Sequence, residues 1–148
     1  MTTDGDKEFD EMIKSMQEEL DRDAEATFSK KVLDEYKNPQ NIGRMEDADS
    51  YATTSGSCGD RIEIYLKIKN DTVTDILFMT DGCGATIACG SMGTKMAKGK
   101  NLAEIMKMND EDLIRALDGL PDENLHCARL MMGTLHRAVK EYENKKEM

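Results

Sequence analysis

The stretch "RIEIYLKIKNDTVTDILFMT", residues 61–80, decides the fold class. In its first half, apolar side chains recur at every second position: Ile62, Ile64, Leu66 and Ile68. This alternation predicts a strand with one buried face. Residues 72–80 are rich in β-branched and large apolar residues and predict a second strand, while Asn70-Asp71 suits the turn between them. The stretch therefore predicts an antiparallel hairpin.

The flanking sequence predicts a third strand and several helices. We expect the third strand near residues 51–54, because an isolated hairpin is only marginally stable. Ser29 is a plausible N-cap for a short helix through Tyr36, which "KNPQNIG" then ends. Apolar residues at helical spacing predict further helices from residue 84 to the sequence "KGKN" and over 101–107, 109–117 and 126–142. A block of strands followed by a block of helices favours an α+β fold over a parallel doubly wound sheet.

The acidity of the chain is concentrated in its first 27 residues. This segment carries ten acidic and three basic residues, a net charge of −7 out of −10 for all 148 residues. Its apolar residues recur at three- and four-residue intervals and predict an amphipathic helix over 7–26, with a mobile acidic arm as the alternative. We therefore divide the chain into an acidic amphipathic N-terminal helical extension, 1–27, and one domain, 28–148.

Composition excludes several classes of function. A net charge of −10 argues against nucleic acid and anionic membranes as partners. No apolar run approaches the roughly 18 residues that would span a bilayer, and the N-terminus lacks the apolar core of a signal peptide. We therefore expect a cytoplasmic protein, in which thiols stay reduced. The methionines recur at helical spacing, which favours a role in filling the core over metal binding.

Three of the four cysteines fall at junctions between predicted elements. Cys58 lies in "GSCGD", Cys83 in "DGCGA" and Cys127 in "LHCAR". The last two would lie near helix N-termini, where backbone N–H groups lower the pKa of a thiol. Asp60 and His126 stand beside them and can also bind metal. Such a set suits zinc or an iron–sulfur cluster, and its mixed ligands favour release over permanent retention.

The fourth cysteine and the second histidine are not assigned to this site. Cys89 would lie six residues along the helix from Cys83, about 9 Å further along its axis and on another face. This geometry disfavours a disulfide between the two and predicts that Cys89 is a small packing residue. His136 lies well inside the last predicted helix, and we expect it at the surface.

Four motifs in a fixed order resemble a known family. They are "FSKKVLDEYKNPQNIG" (28–43), "CGDRIEI" (58–64), "GCGATIA" (82–88) and "GLPDENLHC" (119–127). Together they resemble the IscU/NifU-type iron–sulfur cluster assembly scaffolds, in particular the NifU N-terminal domain. The resemblance covers residues 28–148. It implies an α+β domain with a three-stranded antiparallel sheet packed by helices.

The resemblance also implies a non-enzymatic scaffold and carrier. A cysteine desulfurase of the IscS/NifS type would deliver sulfur, an iron donor would supply iron, and a transient [2Fe–2S] cluster would pass to recipient apoproteins. The family pattern implies Cys58, Cys83 and Cys127 as ligands, with Cys127 as the persulfide acceptor. Asp60 or His126 would be the fourth ligand, and zinc can occupy the same residues. Whether two copies share a cluster as a homodimer stays open.

Two other functions are also compatible with this sequence. One is a zinc-bound sulfurtransferase or sulfur-relay protein of the same superfamily. The other is a metal-free structural domain or thiol redox protein. Stoichiometric zinc without cluster formation would favour the first, and a native disulfide without bound metal would favour the second.

Overall fold

The computed structural model describes residues 10–12, 14, 15, 28–56 and 59–147. Residues 10–12, 14 and 15 are helical, and the remainder of the predicted N-terminal helix lies outside the described residues. The division of the chain into an extension and a domain therefore stays a prediction.

The described elements form an antiparallel sheet followed by helices. In chain order they are α1 (Lys30–Lys37), β1 (Ser50–Ser55), β2 (Arg61–Lys69), β3 (Thr72–Thr80), α2 (Gly84–Ala97), α3 (Leu102–Lys107), α4 (Asp110–Ala116), a 3₁₀ turn (Asp122–Asn124) and α5 (Leu125–Glu147). The three strands lie in the order β1-β2-β3, and both pairs are antiparallel. This arrangement confirms the predicted α+β fold with a three-stranded antiparallel sheet.

The hairpin forms as the alternating stretch predicts. Lys69 pairs with Thr72, and the two residues between them, Asn70 and Asp71, have φ of 54° and 57°. Two positive φ angles are typical of the two-residue turn whose twist matches a hairpin. The predicted apolar face is buried, with exposures of 0–9% for Ile62, Ile64, Leu66 and Ile68.

The segment that ends α1 also covers the free edge of β3. The Gly43 N–H donates to the Phe78 carbonyl at 2.9 Å, and the Phe78 N–H donates to the Asn41 carbonyl at 2.8 Å. These bonds satisfy backbone groups that an edge strand would otherwise expose. The sequence predicts the break after α1 but not this pairing, because an isolated bridge has no periodic pattern.

Helix boundaries follow the predicted caps closely, except at the C-terminus. Ser29 caps α1, and its hydroxyl accepts from the Val32 N–H at 3.1 Å. The last helix was predicted to end at Tyr142 but continues to Glu147. The extra residues are charged or polar and carry no apolar stripe, while Lys145 and Lys146 suit the negative end of the helix dipole.

The core lies between one face of the sheet and the helices α2 and α5. A Cβ added at Gly90 of α2 would lie 2.2 Å from Cε2 of Phe78 on β3. One added at Gly93 would lie 2.8 Å from Cε of Met131 on α5. The absence of side chains at these two positions lets α2 approach both neighbours. Most described methionines on the helices or at their caps are buried or half-buried against this core, as their spacing predicts: Met92, Met96, Met106, Met108, Met131 and Met132.

The burial of His136 differs from the expectation. It was expected at the surface, but it is half-buried, and its Nε2 lies 3.0 Å from the Ile105 carbonyl oxygen. Helix α3 packs across α5 at this point, which the pattern of α5 alone does not reveal. No helix in the described part of the chain has both the length and the apolar character needed to cross a membrane.

We predict that Gly90→Ala destabilises the fold by about 1–3 kcal/mol, because the new methyl group overlaps the buried ring of Phe78. Gly133→Ala is the matched control, since nothing lies within 4 Å of its added Cβ on the exposed side of α5. That change should stabilise by up to about 1 kcal/mol through helix propensity. Urea unfolding of both variants measures the difference, and equal effects would contradict the close contact at Gly90.

Candidate metal-binding site

Three segments bring four of the five predicted site residues to one place. Asp60 directly precedes β2, Cys83 is the N-cap of α2, and His126 and Cys127 lie in the first turn of α5. One ligand atom from each of Asp60, His126 and Cys127 lies within 4.8 Å of the other two. The imidazole Nε2 of His126 is 3.6 Å from the Cys127 Sγ. Oxygen, nitrogen and sulfur donors therefore converge from segments that are distant in sequence.

Cys83 joins this group through a side chain that the sequence analysis did not single out. Thr86 is fully buried, and its Oγ1 lies 3.7 Å from the Cys83 Sγ. The same hydroxyl donates to Oδ2 of Asp60 at 3.0 Å and lies 3.4 Å from the Cys127 Sγ. The sequence did contain a signal for this contact. A helix that begins at residue 84 places residue 86 in its first turn, close to Cys83.

Two glycines allow the Cys83 loop to pack tightly. A Cβ added at Gly82 would lie 2.9 Å from Cβ of Thr86 and 3.0 Å from Cγ of Asp60. One added at Gly84 would lie 3.0 Å from ring carbons of Tyr36. The backbone on each side of Cys83 is therefore held against neighbouring side chains.

The described residues on either side of Cys58 are hydrogen-bonded close to Asp60. The Gly56 N–H donates to the Asp60 carbonyl at 2.7 Å, and the Arg61 N–H donates to Oδ1 of Asp81 at 2.9 Å. Gly59 has a φ of 89°, in the left-handed region that favours glycine. Cys58 itself lies outside the described residues, so its membership of the site stays a prediction.

The pKa of the Cys127 thiol differs from the value expected at a helix N-terminus. Proximity to a helix N-terminus predicts a lowered pKa, but burial raises the pKa of Cys127 to about 11. Cys83 and Asp60 add to the rise, and the hydrogen bond with Thr86 opposes it. Desolvation outweighs the helix dipole here because the side chain has no exposed surface. A bound cation would reverse this balance, since metal coordination deprotonates a thiol.

Cys89 lies in the core. It has no exposed surface, and burial raises the pKa of its thiol well above the usual range. Cys83, in contrast, is exposed. The structure thus agrees with the prediction that Cys89 packs, and it separates a buried thiol from one accessible to a ligand.

The donor set fits a borderline-soft metal ion or an iron–sulfur cluster. Thiolate, imidazole and carboxylate are the three ligand types that zinc binds, usually four at a time. Iron–sulfur clusters are held mainly by cysteine thiolates, and histidine replaces cysteine in some of them. Asp60, Cys83, His126 and Cys127 could therefore supply such ligands, with Cys58 as the predicted further thiolate.

Comparisons with known proteins find iron–sulfur cluster assembly scaffold proteins among those similar to this chain. The chain is 44% identical over 119 residues to the iron–sulfur cluster assembly scaffold protein IscU 1 of Archaeoglobus fulgidus, which covers 80% of this chain and 78% of that protein. It is 39% identical over 118 residues to the scaffold protein IscU of Aquifex aeolicus, with coverage of 78% and 75%.

A solved structure shares the fold. The crystal structure of a nitrogen-fixing NifU-like protein (N-terminal) from Brucella abortus superposes with a TM-score of 0.63 at 20% identity, covering 79% of this chain and 94% of that one. Residues 27–148 also match the family model described as the NifU-like N terminal domain. The chain therefore belongs to the NifU-like N-terminal domain family, as the four sequence motifs predict.

Proposed function

We propose that this protein is a scaffold on which a transient [2Fe–2S] cluster is assembled and from which it passes to recipient apoproteins. One observation carries the proposal. Asp60, His126 and Cys127 converge within 4.8 Å, with Cys83 beside them, in a chain whose relatives are named iron–sulfur cluster assembly scaffold proteins. The protein acts as a carrier and not as an enzyme.

The ligand chemistry suits a cluster that must leave. Cys58, Cys83 and Cys127 would bind iron as soft thiolates, and Asp60 or His126 would complete the set. A carboxylate oxygen is a hard ligand that matches iron–sulfur chemistry less well than a thiolate does. One weaker ligand offers a place where a competing thiolate of the recipient can begin the exchange. Zinc would use the same donors in the absence of iron.

Sulfur would arrive at Cys127. Its thiolate attacks the outer sulfur of a desulfurase persulfide, a new S–S bond forms, and the desulfurase cysteine leaves as a thiolate. The raised pKa means that the Cys127 thiol must first lose its proton, and His126 Nε2, 3.6 Å away, is placed to accept it. Because Cys127 is fully buried, the surrounding loops must also open to admit the donor.

The partners follow from this chemistry. A cysteine desulfurase of the IscS/NifS type supplies sulfur, an iron donor supplies iron, and apoproteins receive the product. We place the protein in the cytoplasm, where thiols stay reduced. The scaffold domain would comprise residues 28–148, and residues 1–27 would form an acidic extension to it.

We predict that anaerobic reconstitution with ferrous iron, sulfide and reductant produces visible sulfur-to-iron charge-transfer absorption. Cys58→Ala, Cys83→Ala and Cys127→Ala should each lower the bound iron and sulfide severalfold, because each removes a thiolate ligand. Iron, sulfide and zinc analysis of the same samples separates a cluster scaffold from a zinc-bound sulfur-relay protein. Full cluster content in all three variants would refute the ligand assignment.

Cys89→Ala serves as the matched control for these substitutions. It removes a thiol of the same size six residues from Cys83, but one that lies in the core. We expect wild-type iron and sulfide content, with a modest loss of stability from the small cavity. Cluster loss as large as that of Cys83→Ala, with the fold intact by circular dichroism, would add Cys89 to the ligands.

We predict that a cysteine desulfurase and free cysteine place an added sulfur atom on Cys127. Mass spectrometry of the peptides after alkylation locates it, with Cys127→Ser as the variant that cannot accept. His126→Ala should slow the transfer severalfold, because the thiol proton then lacks its neighbouring base. Sulfur found mainly on the exposed Cys83 in the wild-type protein would reassign the acceptor.

A further inference from the structure

Among the described residues, three threonines on the helices are fully buried, and one of them differs from the others. Thr94 donates its hydroxyl proton to the Ser91 carbonyl at 2.9 Å, and Thr134 donates to the Leu130 carbonyl at 2.7 Å. Such bonds back to the preceding turn are ordinary for threonine within a helix. Thr86 instead directs its hydroxyl toward the side chains of the candidate metal-binding site.

The contacts of Thr86 join the donors of that site. Its Oγ1 lies 3.0 Å from Asp60 Oδ2, 3.4 Å from Cys127 Sγ and 3.7 Å from Cys83 Sγ. A hydroxyl has one proton to donate and two lone pairs with which to accept. It can therefore donate to the charged Asp60 while a protonated thiol donates to it. One side chain thus fixes a carboxylate relative to two thiols that come from different elements.

The surroundings hold Thr86 and Asp60 in this arrangement. A β-branched side chain has few accessible χ1 rotamers, so a buried Thr86 cannot easily turn its hydroxyl away. A Cβ at Gly82 would overlap Cβ and Oγ1 of Thr86 and touch Cγ of Asp60, so backbone packs directly on the pair. The contact is therefore part of a tightly packed site and not a flexible surface bond.

We propose that Thr86 is a positioning residue that orients Asp60 and Cys127 for binding of the metal, an inference that rests on the proposed function. Without bound metal, the Thr86 hydroxyl donates its proton to the Asp60 carboxylate. If Asp60 and Cys127 held a cation, the Thr86 hydroxyl would be free to donate to the Cys127 sulfur. Residues that orient ligands in this way typically contribute 10–100-fold to metal affinity.

The test uses Co²⁺ and Zn²⁺ alone, without iron, sulfide or desulfurase. Thr86→Val keeps the shape of the side chain and removes the hydroxyl, whereas Thr86→Ser keeps the hydroxyl and removes a methyl group. Thr134→Val is the matched control, because it removes a buried helical hydroxyl on α5 that bonds only its own backbone among the contacts described. Thr86→Val should weaken Zn²⁺ binding about tenfold or more in competition with a chromophoric chelator.

The Co²⁺ spectrum provides a second readout, because sulfur-to-cobalt charge transfer and ligand-field bands report the ligands and their geometry. We expect altered bands in Thr86→Val and wild-type bands in Thr86→Ser and Thr134→Val, with circular dichroism and thermal melting confirming that all variants fold. If Thr86→Val and Thr86→Ser weaken Zn²⁺ binding equally, the role of the hydroxyl is overturned, and the effect comes from packing instead.

Asp60→Ala distinguishes failure of this proposal from failure of the proposed function. If Asp60→Ala and Cys127→Ala weaken metal binding but Thr86→Val does not, the positioning role is overturned and the scaffold site stands. If the wild-type protein takes up neither ion and also fails to assemble a cluster, the proposed function fails, and the role of Thr86 fails with it.

Discussion

The packing of helix α2 against the ring of Phe78 is the contact on which the position of the candidate site depends. Gly90 permits that contact, and Thr86 lies about one turn before it on the same helix. Gly93 likewise lets α2 approach Met131, which lies about one turn after Cys127 on α5. The two glycines therefore set both the height of Cys83 above the sheet and its separation from Cys127. The geometry of the donors is a product of core packing.

A buried polar cluster adds α1 to this assembly. Glu35 is nearly buried, and its carboxylate accepts from both Ser91 and Lys95 of α2. The Ser91 hydroxyl in turn accepts from the Gln40 N–H at 2.9 Å. Removing one partner of a buried charge leaves the other uncompensated, so these bonds specify one alignment of the two helices. That alignment places the ring of Tyr36 next to the backbone beside Cys83.

Local patterns in the sequence account for most of the fold and for part of the site. The hairpin, the Ser29 cap and the start of α2 follow from alternation and capping, because these depend on neighbouring residues. The junction positions of Cys83 and Cys127 follow from those elements. Thr86 and His136 were missed because their roles depend on side chains brought together only by tertiary packing. The raised pKa of Cys127 was missed for the same reason, since burial is a property of the whole fold.

The origin of the donors in three separate segments has a thermodynamic consequence. Asp60, Cys83 and Cys127 adjoin one another only when the chain is folded. A metal or cluster held by the proposed ligands would therefore act as a removable cross-link between the starts of β2, α2 and α5. Any ion that binds only the folded chain, at 100 times its dissociation constant, stabilises that chain by about 2.7 kcal/mol. Cargo and fold are thus linked energetically. Each delivery would return the protein to a less stable form. A recipient must therefore bind the cluster more tightly than the folded scaffold does.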